Sequence, residues 1–251
     1  MTKYPVDLIT ILGPTASGKT PFAAHLAHHL GDAEIISADS RMVYRGMTIG
    51  SGKDLDDYVV DGHQIPYHLI DICEAGYRFN VYEFQCAFQN AFMDITARGQ
   101  LPIMCGGTGL YIESVLKSYE LGQVRFPERN SLTIGLSIER DLRREKISRR
   151  LKARLEEGMI EEVQTLLQTV SAEKLIRYGL EYKFVTLYCL GQLSYDEMYR
   201  QLEIAIHQFA KRQMTWFRGM EERRGIPIHW IDATLPHEDK VQIVLDLLNG
   251  K

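Results

Sequence analysis

The stretch Gly13-Pro14-Thr15-Ala16-Ser17-Gly18-Lys19-Thr20 directly follows an apolar run from Val6 to Leu12. Its pattern, G-x-x-x-x-G-K-[ST] after a strand and before a helix, is typical of a phosphate-binding loop, or P-loop. The two glycines let successive backbone N–H groups approach a polyanion closely, the lysine brings a charge to the terminal phosphates, and the threonine offers a hydroxyl to Mg²⁺. We therefore predict that residues 13–20 bind phosphate and Mg²⁺, although the loop does not indicate which polyphosphate it holds.

Composition narrows the class of protein. The chain has 251 residues and a formal net charge of −4, so nucleic acid would have to bind at local basic patches. Its 4 cysteines lie far apart without a C-x-x-C pair, which argues against a zinc site and a disulfide framework. The first residues lack the apolar region of a signal peptide, and no apolar run approaches the roughly 20 residues that span a bilayer. We expect a cytoplasmic protein that does not bind membranes.

Short apolar runs alternate with amphipathic stretches, as in an α/β protein with a parallel sheet. The predicted strands are 6–12, 34–38, 67–72, 101–105, 132–138 and 227–231, and the predicted helices are 18–30, 79–97, 108–117, 140–170, 172–190, 194–222 and 237–249. The fold prediction is a P-loop NTPase-like parallel sheet flanked by helices, with a mostly helical C-terminal third. Residues 1–130 form the first part of this core and residues 131–251 its remaining strands and helices, within a single compact domain. The predicted linker is Tyr119 to Asn130, which contains Gly122 and Pro127.

A second informative stretch is the apolar segment that begins at Ile35 and ends in Asp39-Ser40-Arg41. In an open α/β sheet the carboxyl end of a strand faces the ligand crevice. Asp39 can there serve as an outer Mg²⁺ ligand or as a general base. It can equally form an Asx-turn or cap a helix.

A third stretch, Leu101 to Tyr111, is a predicted strand that runs into a glycine-rich turn and a helix. Phosphoryl-transferring P-loop enzymes usually place an acid at the end of an apolar strand to hold Mg²⁺. This strand ends in Cys105-Gly106 instead, which leaves Asp39 and Asp71 as the candidates for that acid.

Together these stretches resemble the tRNA dimethylallyltransferase family. Residues 13–20 match the family's phosphate loop, Asp39 to Tyr44 its Asp-Ser-Arg-Gln-x-Tyr segment, and residues 106–111 its Gly-Gly-Thr-Gly-Leu-Tyr turn. Further matches are Gly50 to Lys53, His68 to Asp71, Ser194 to Met198 and Ala210 to Arg218. The resemblance covers about residues 6–118 and 138–232.

The resemblance implies transfer of a dimethylallyl group from dimethylallyl diphosphate to N6 of the adenine beside the tRNA anticodon. Residues 13–20 would then hold the diphosphate leaving group, with Mg²⁺ at Thr20, and Asp39 would take the proton of the amine. The implied catalytic residues are Lys19, Thr20, Asp39 and Arg150. The implied contacts to the acceptor are Asp39, Ser40, Arg41, Met42, Thr108, Arg212 and Arg218. The expected partners are dimethylallyl diphosphate and the tRNA anticodon arm, and the expected oligomeric state is a monomer.

Two of these assignments, and a possible role of an aromatic pair, have a structural alternative. Arg150 lies in a segment rich in both charges, so it is equally well a residue of a solvated face. Thr108 could simply cap the helix that begins at Gly109. The pair Trp216-Phe217 could stack on a base between basic residues, but aromatics at helical spacing are more often core.

The chain departs from the family where the acceptor nucleotide is recognised. Full-length members carry a helical insertion that grips the anticodon arm, and here the chain passes through 119–130 straight to the next strand. The family's Gln is Met42, its Gly-Tyr-Arg segment is replaced around Leu180 to Lys183, and its Thr-Arg is Ile206-His207. The expected RNA surface is therefore reduced to the basic segments 139–154 and 211–224.

Three functions stay open at this point. The first is prenyl transfer to tRNA. The second is prenyl transfer to free AMP, ADP or ATP, as in related short enzymes that also lack the insertion. The third is an ordinary P-loop kinase or a nucleotide-binding protein without catalysis.

Overall fold

The computed structural model describes residues 3–121 and 127–250, and Gly122 of the predicted linker lies outside them. The strands in this part of the chain are β1 (Leu8–Leu12), β2 (Ala33–Ser37), β3 (Tyr44–Arg45), β4 (Val59–Val60), β5 (His63–Gln64), β6 (Tyr67–His68), β7 (Cys73–Glu74), β8 (Leu101–Gly106), β9 (Ser131–Ser137) and β10 (His229–Asp232). The helices are α1 (Lys19–Leu30), α2 (Val81–Ala97), α3 (Gly109–Leu116), α4 (Arg140–Glu156), α5 (Met159–Leu166), α6 (Ala172–Leu175), α7 (Leu180–Cys189), α8 (Tyr195–Arg224) and α9 (His237–Leu248), with a short 3₁₀ helix at Leu55–Tyr58.

The central sheet is parallel throughout, in the order β10-β9-β1-β8-β2-β6. This confirms the predicted parallel α/β sheet. Ile11 of β1 pairs with Cys105 of β8, and Cys105 in turn pairs with Ser37 of β2. Because the three strands run in register, their carboxyl ends meet at one edge of the sheet.

Alternate residues of the strands enter two separate apolar layers, since successive side chains point to opposite faces. Helices α1 and α9 cover one face through Phe22, Leu26, Val241 and Val244, which pack with Ile9, Ile11 and Ile35. Helices α2, α3 and the end of α8 cover the other face through Phe84, Phe88, Ile112, Phe217 and Met220, which pack with Leu8, Leu12 and Ile36.

Helix α8 joins the sheet to the helical C-terminal region. It has 30 residues, a length of roughly 45 Å, and it begins at a capping box formed by Ser194 and Glu197. Its first half packs through Leu202 and Ile206 in a third apolar cluster with α4, α5 and α7, and its second half packs on the sheet. One rigid element therefore spans both parts of the molecule. Over the residues that the structure describes, no helix combines the length and apolar character needed to cross a bilayer.

Three predicted elements are wrong in their extent. The predicted helix 140–170 ends at Glu156 and restarts after Gly158, whose φ of 103° does not fit a helix. The predicted helix 172–190 is likewise divided before Gly179, where φ is 141°. The predicted strand 67–72 stops after two residues, because the chain turns at Leu69 and Asp71, which have φ values of 64° and 55°.

The close approach of β8 to the end of β2 leaves no room for a side chain at Gly106. A Cβ there would lie 2.8 Å from Cα of Ala38 and even closer to its carbonyl. We expect Gly106→Ala to lower the free energy of unfolding by about 1–3 kcal/mol, because backbone must move to admit the methyl group. The measurement is a urea denaturation midpoint.

Gly219→Ala is the matched control for this prediction. Its Cβ would come within 3.2 Å of Cζ of Arg223, the mobile end of a long side chain, and alanine favours a helix over glycine by about 1 kcal/mol. This variant should therefore be as stable as the parent or more so. A Gly106→Ala protein that unfolds at the parent midpoint would contradict the close contact between β8 and Ala38.

Candidate active site

A cavity of about 630 Å³ opens at the edge of the sheet where β1, β2 and β8 end. Its walls come from the phosphate loop, the segment after β2, the segment 50–58, the turn after β8, helix α4, one residue of α7 and two residues of α8. The predicted site residues that line it are Thr15, Ala16, Gly18, Lys19, Thr20, Asp39, Arg41, Met42 and Arg150. The fold therefore brings residues from 15 to 150 into one enclosure.

The phosphate loop has the predicted strand–loop–helix form. Gly18 adopts a left-handed conformation with φ of 74° directly before α1. Gly13 packs so closely on β9 that a Cβ would lie 3.0 Å from the carbonyl of Leu136. Ser17 Oγ and Lys19 Nζ each donate a hydrogen bond of 2.9 Å to the carbonyl of Pro14. The ammonium of Lys19 is thus fixed to the backbone of the phosphate loop.

Lys19 has unusual electrostatics for a lysine. Burial lowers its pKa to about 8, and the neighbouring charges of Arg150 and Arg41 also lower it, against the opposing effect of Asp39. An anion beside Nζ would counter both effects, since it favours the charged ammonium. The surroundings of Lys19 are therefore suited to a negatively charged ligand.

Asp39 follows β2 and its carboxylate is mostly buried in the cavity wall. Its Oδ1 accepts a hydrogen bond of 2.9 Å from the backbone N–H of Arg41, which is the Asx-turn that the sequence offered as the alternative. The turn and the cavity position occur together, so the turn fixes the carboxylate in place rather than competing with a functional role. No residue in the described ranges donates a hydrogen bond to its Oδ2.

Arg41 is held beside Asp39 by an acid that the sequence analysis missed. Its guanidinium donates to Glu181 Oε2 at 2.8 Å and lies 3.7 Å from Asp39 Oδ1. Burial works against the charged form, but these two carboxylates outweigh it and raise the pKa of Arg41. Glu181 sits at the start of α7, within the segment that departs from the family pattern, and only the fold shows that it faces Arg41.

Thr108 joins the turn after β8 to the segment after β2. Its Oγ1 accepts a hydrogen bond of 3.0 Å from the backbone N–H of Ser40, and its own N–H donates to the carbonyl of Ala38 at 3.2 Å. The side chain makes no capping bond to α3, so the suggestion that it caps this helix is wrong. Thr108 and Ser40 instead fix the position of the residues next to Asp39.

Gln213 is a second residue that the sequence analysis did not single out. It is buried on α8, accepts a hydrogen bond of 2.8 Å from Thr15 N–H, and donates one of 2.9 Å to the carbonyl of Gly107. It thereby ties α8 to the phosphate loop and to the turn after β8 at once. Its position inside the matching segment 210–218 was the available signal, but a glutamine in a polar run does not reveal which way it points.

Arg150 and Arg154 project from α4 into the opposite wall. Both approach Asp54, Arg150 at 3.5 Å and Arg154 at 2.8 Å. Burial and the neighbouring Arg154 lower the pKa of Arg150. Arg150 lines the cavity together with Lys19, and its side chain is 37% exposed there, so its catalytic role stays a prediction.

Helix α5 holds residues 48–50, at the start of one cavity wall, in place. The carboxylate of Glu162 accepts hydrogen bonds from the backbone N–H groups of Thr48, Ile49 and Gly50, at 2.8, 2.7 and 3.0 Å. Tyr182 Oη donates to the same carboxylate at 2.9 Å. The break at Gly158, which the sequence analysis missed, is what brings Glu162 to this segment.

The acidic residues that line the cavity differ in part from those that the sequence predicted. Asp71 does not line it and is instead bound by Lys53, whose Nζ lies 2.5 Å from its carboxylate, so Asp71 is wrong as a candidate Mg²⁺ ligand. Asp54 and Asp57 line the cavity together with Asp39. Burial and the nearby Asp54 raise the pKa of Asp57 to about 6. Within residues 3–121 and 127–250, no three His, Cys, Asp or Glu side chains are arranged to hold a metal by themselves.

The remaining predicted acceptor contacts lie in different surroundings. Met42 lines the cavity and its sulfur lies 3.6 Å from Ser37 Oγ. Arg212 and Arg218 are exposed on α8, outside the cavity lining. Met42 therefore lies inside the cavity, whereas Arg212 and Arg218 lie on the surface outside it.

Family models match most of the chain. The model described as IPP transferase matches residues 42–133 and 120–220, and the model described as isopentenyl transferase matches residues 6–67. The two IPP transferase segments overlap at residues 120–133, which is where the predicted linker lies.

Individual relatives agree with the family models. The chain is 53% identical to tRNA dimethylallyltransferase 2 of Phocaeicola vulgatus over 310 residues, and the match covers 100% of both chains. It is 54% identical to tRNA dimethylallyltransferase 1 of Parabacteroides distasonis over 304 residues, with 98% of each chain covered. Its fold is similar to the crystal structure of a tRNA isopentenylpyrophosphate transferase from Bacillus halodurans, with a TM-score of 0.83, 28% identity, and coverage of 97% of this chain and 96% of that one. This chain therefore belongs to the tRNA dimethylallyltransferase family.

Proposed function

We propose that this protein transfers a dimethylallyl group from dimethylallyl diphosphate to N6 of the adenine beside the anticodon in tRNA. The observation that carries the proposal is the shared cavity, in which a phosphate loop and the carboxylate of Asp39 face the same space. A diphosphate on the loop would place its allylic end near an acid that can accept a proton. The names of the relatives at more than half identity support tRNA, rather than free nucleotide, as the acceptor.

The donor half of the site is a set of positive groups around the loop. The backbone N–H groups of residues 13–20, the ammonium of Lys19 and the guanidinium of Arg150 would bind the diphosphate from opposite sides. The bond between the allylic carbon and the diphosphate oxygen breaks with its electron pair on the oxygen. These cations lower the barrier because they stabilise the charge that develops there.

The acceptor half supplies a base. The adenine amine forms the new N–C bond to the allylic carbon and must lose a proton. Asp39 Oδ1 is engaged by Arg41, which leaves Oδ2 to accept that proton. Arg41, held by Glu181, keeps the carboxylate oriented.

Thr20 fits a role in binding Mg²⁺. Thr20 lines the same cavity as Asp39, Asp54 and Asp57. Mg²⁺ prefers oxygen ligands and commonly completes its shell with substrate phosphates and water. We propose that Thr20 and the diphosphate oxygens hold the ion, which is consistent with a site that has no carboxylate at the end of β8. Bound there, the ion would help neutralise the leaving group.

The outer surface suits a polyanion such as RNA. Helices α4 and α8 pack against each other. Arg143 and Arg144 of α4 lie near His207 of α8, and Arg143 also lies near Arg218. Burial and the charges of these two α4 arginines lower the pKa of His207. This basic surface borders the cavity through Lys146 and Arg149. It comprises parts of the segments 139–154 and 211–224 expected to contact RNA.

We also propose that the chain lacks the family's helical insertion. The alignment with the first relative extends over 310 positions, whereas this chain has 251 residues. The overlapping family segments at 120–133 support a junction at that place. A cytoplasmic location and a monomeric state stay predictions.

The first experiment distinguishes the acceptors. The purified protein is incubated with Mg²⁺ and labelled dimethylallyl diphosphate, with unmodified tRNA in one reaction and a mixture of AMP, ADP and ATP in another. We expect label in tRNA only. Label in the nucleotides would make the protein an adenylate prenyltransferase, and label in neither would contradict transfer by this chain alone.

Asp39→Asn should reduce transfer by about 10²–10⁴-fold while dimethylallyl diphosphate binds nearly as before, because the amide keeps the hydrogen bond from Arg41 but cannot accept a proton. Rates come from single-turnover assays and donor affinity from calorimetry. Asp56→Asn, an exposed acid near the cavity but outside its lining, is the matched control and should keep parent activity. An Asp39→Asn protein with full activity would remove Asp39 as the base.

Donor binding should depend on pH through Lys19. Its pKa of about 8 means that the ammonium is charged below pH 8 and neutral above it, so the affinity for dimethylallyl diphosphate should fall as pH rises through 8, by up to about tenfold per pH unit. Lys19→Met should bind the donor weakly at every pH and lose this step. Equal pH profiles for the two proteins, measured by calorimetry, would contradict the assignment of Lys19.

A further inference from the structure

The neighbouring aromatic residues Trp216 and Phe217 of α8 differ in their exposure to solvent. Phe217 is completely buried between α8 and the sheet, as expected of a core aromatic. Trp216 is 37% exposed. Because a large aromatic side chain is costly to expose, its position needs a separate explanation.

The indole of Trp216 is seated on the backbone at the start of α3. A Cβ at Gly109 would lie 2.8 Å from both Cγ and Nε1 of Trp216, so only glycine allows the ring to lie there. On α8 itself, the guanidinium of Arg224 lies 5.4 Å from the ring centroid. The ring is thus fixed from its own helix and from α3 while part of it faces outward.

The position of the indole borders the side of the cavity that contains Asp39. Gly109 directly follows Thr108, which binds the backbone of Ser40 beside Asp39. Gln213, one helical turn before Trp216, lines the cavity itself. An adenine that reaches Asp39 would bring its neighbouring nucleotide close to the outward part of the indole.

Positive charge lies close to the exposed ring. Arg212 precedes Trp216 by one helical turn and is exposed, and the guanidinium of Arg224 lies 5.4 Å from the ring centroid. Arg218, two residues after Trp216, lies on the side of α8 that faces Arg143 of α4. An aromatic ring with adjacent arginines is the combination by which proteins bind unpaired nucleic acid, where the ring stacks on a base and the cations contact phosphates. A single exposed apolar residue would not by itself indicate a ligand, but here rigid seating and charge complementarity coincide at the cavity border.

The geometry points to Trp216 as the stacking platform for the base that neighbours the reacting adenine, with Arg212 on a flanking phosphate. This inference rests on the proposed function, because it requires an RNA acceptor. It adds a binding role to a residue outside the cavity lining. It also gives the chain a contact to the acceptor that does not need an insertion.

The test compares Trp216→Ala and Trp216→Phe with the parent, using an unmodified anticodon stem-loop RNA as the probe. Trp216→Ala should weaken RNA binding by about 10–100-fold and raise KM for the RNA, with little change in kcat, because one base loses its stacking partner. Trp216→Phe should restore most of the affinity, since it keeps an aromatic face. Ile204→Ala, which removes another exposed apolar side chain of α8, is the matched control and should bind like the parent.

A second readout observes the indole directly. The chain has 2 tryptophans, and Trp230 is replaced in a Trp230→Phe background so that Trp216 is the only one left. Addition of the RNA should quench its fluorescence, and addition of dimethylallyl diphosphate alone should not.

The outcomes separate the inference from the function on which it rests. If the parent modifies tRNA but Trp216→Ala keeps the parent affinity for RNA, or if the RNA leaves the fluorescence unchanged, the platform is disproved and the function stands. Equal losses of donor and RNA affinity would show that Trp216 only supports the fold, which also overturns the inference. If the parent neither binds nor modifies RNA, the proposed function itself is wrong.

Discussion

The close approach of the carboxyl ends of β2 and β8 is the constraint on which the site depends. Gly106 lies against Ala38 so tightly that no side chain fits between them, and Thr108 then binds Ser40 across the same gap. Since β1 pairs with β8 in register, this contact also fixes the phosphate loop relative to Asp39. The distance between the phosphate loop and the carboxylate of Asp39 is therefore set by sheet geometry.

Helix α8 transmits this arrangement to the helical region. Gln213 binds the phosphate loop and the turn after β8 with its two amide atoms, so α8 cannot shift without disturbing both. The same helix packs with α4 and α7, which contribute Arg150 and Glu181 to the cavity. A long rigid helix is a physical means of holding side chains from distant parts of the chain in one constellation.

The electrostatics of the cavity combine desolvated cations with a few acids. Lys19 has a lowered pKa because burial disfavours its charge, whereas Arg41 stays charged because two carboxylates face it. Asp54 holds Arg154 and, more loosely, Arg150, so the basic wall is kept in place by an internal anion. Such preorganised charge is expected of a site that stabilises a departing diphosphate, because no side chain must reorganise when the charge develops.

Much of the fold and part of the site could be read from the sequence alone. The phosphate loop, the parallel sheet, the position of Asp39 at the end of β2 and the family itself were determined by local patterns, since glycine spacing, strand length and the order of motifs are properties of consecutive residues. Tertiary structure alone decided the contacts of Glu181, Glu162 and Gln213. It also decided that Asp71 pairs with Lys53, and that Trp216 is partly exposed while Phe217 is buried. Each of these depends on which way a polar or aromatic side chain points and what lies opposite it. That is set by the breaks at Gly158 and Gly179 and by helix packing, which the residues of one segment cannot specify by themselves.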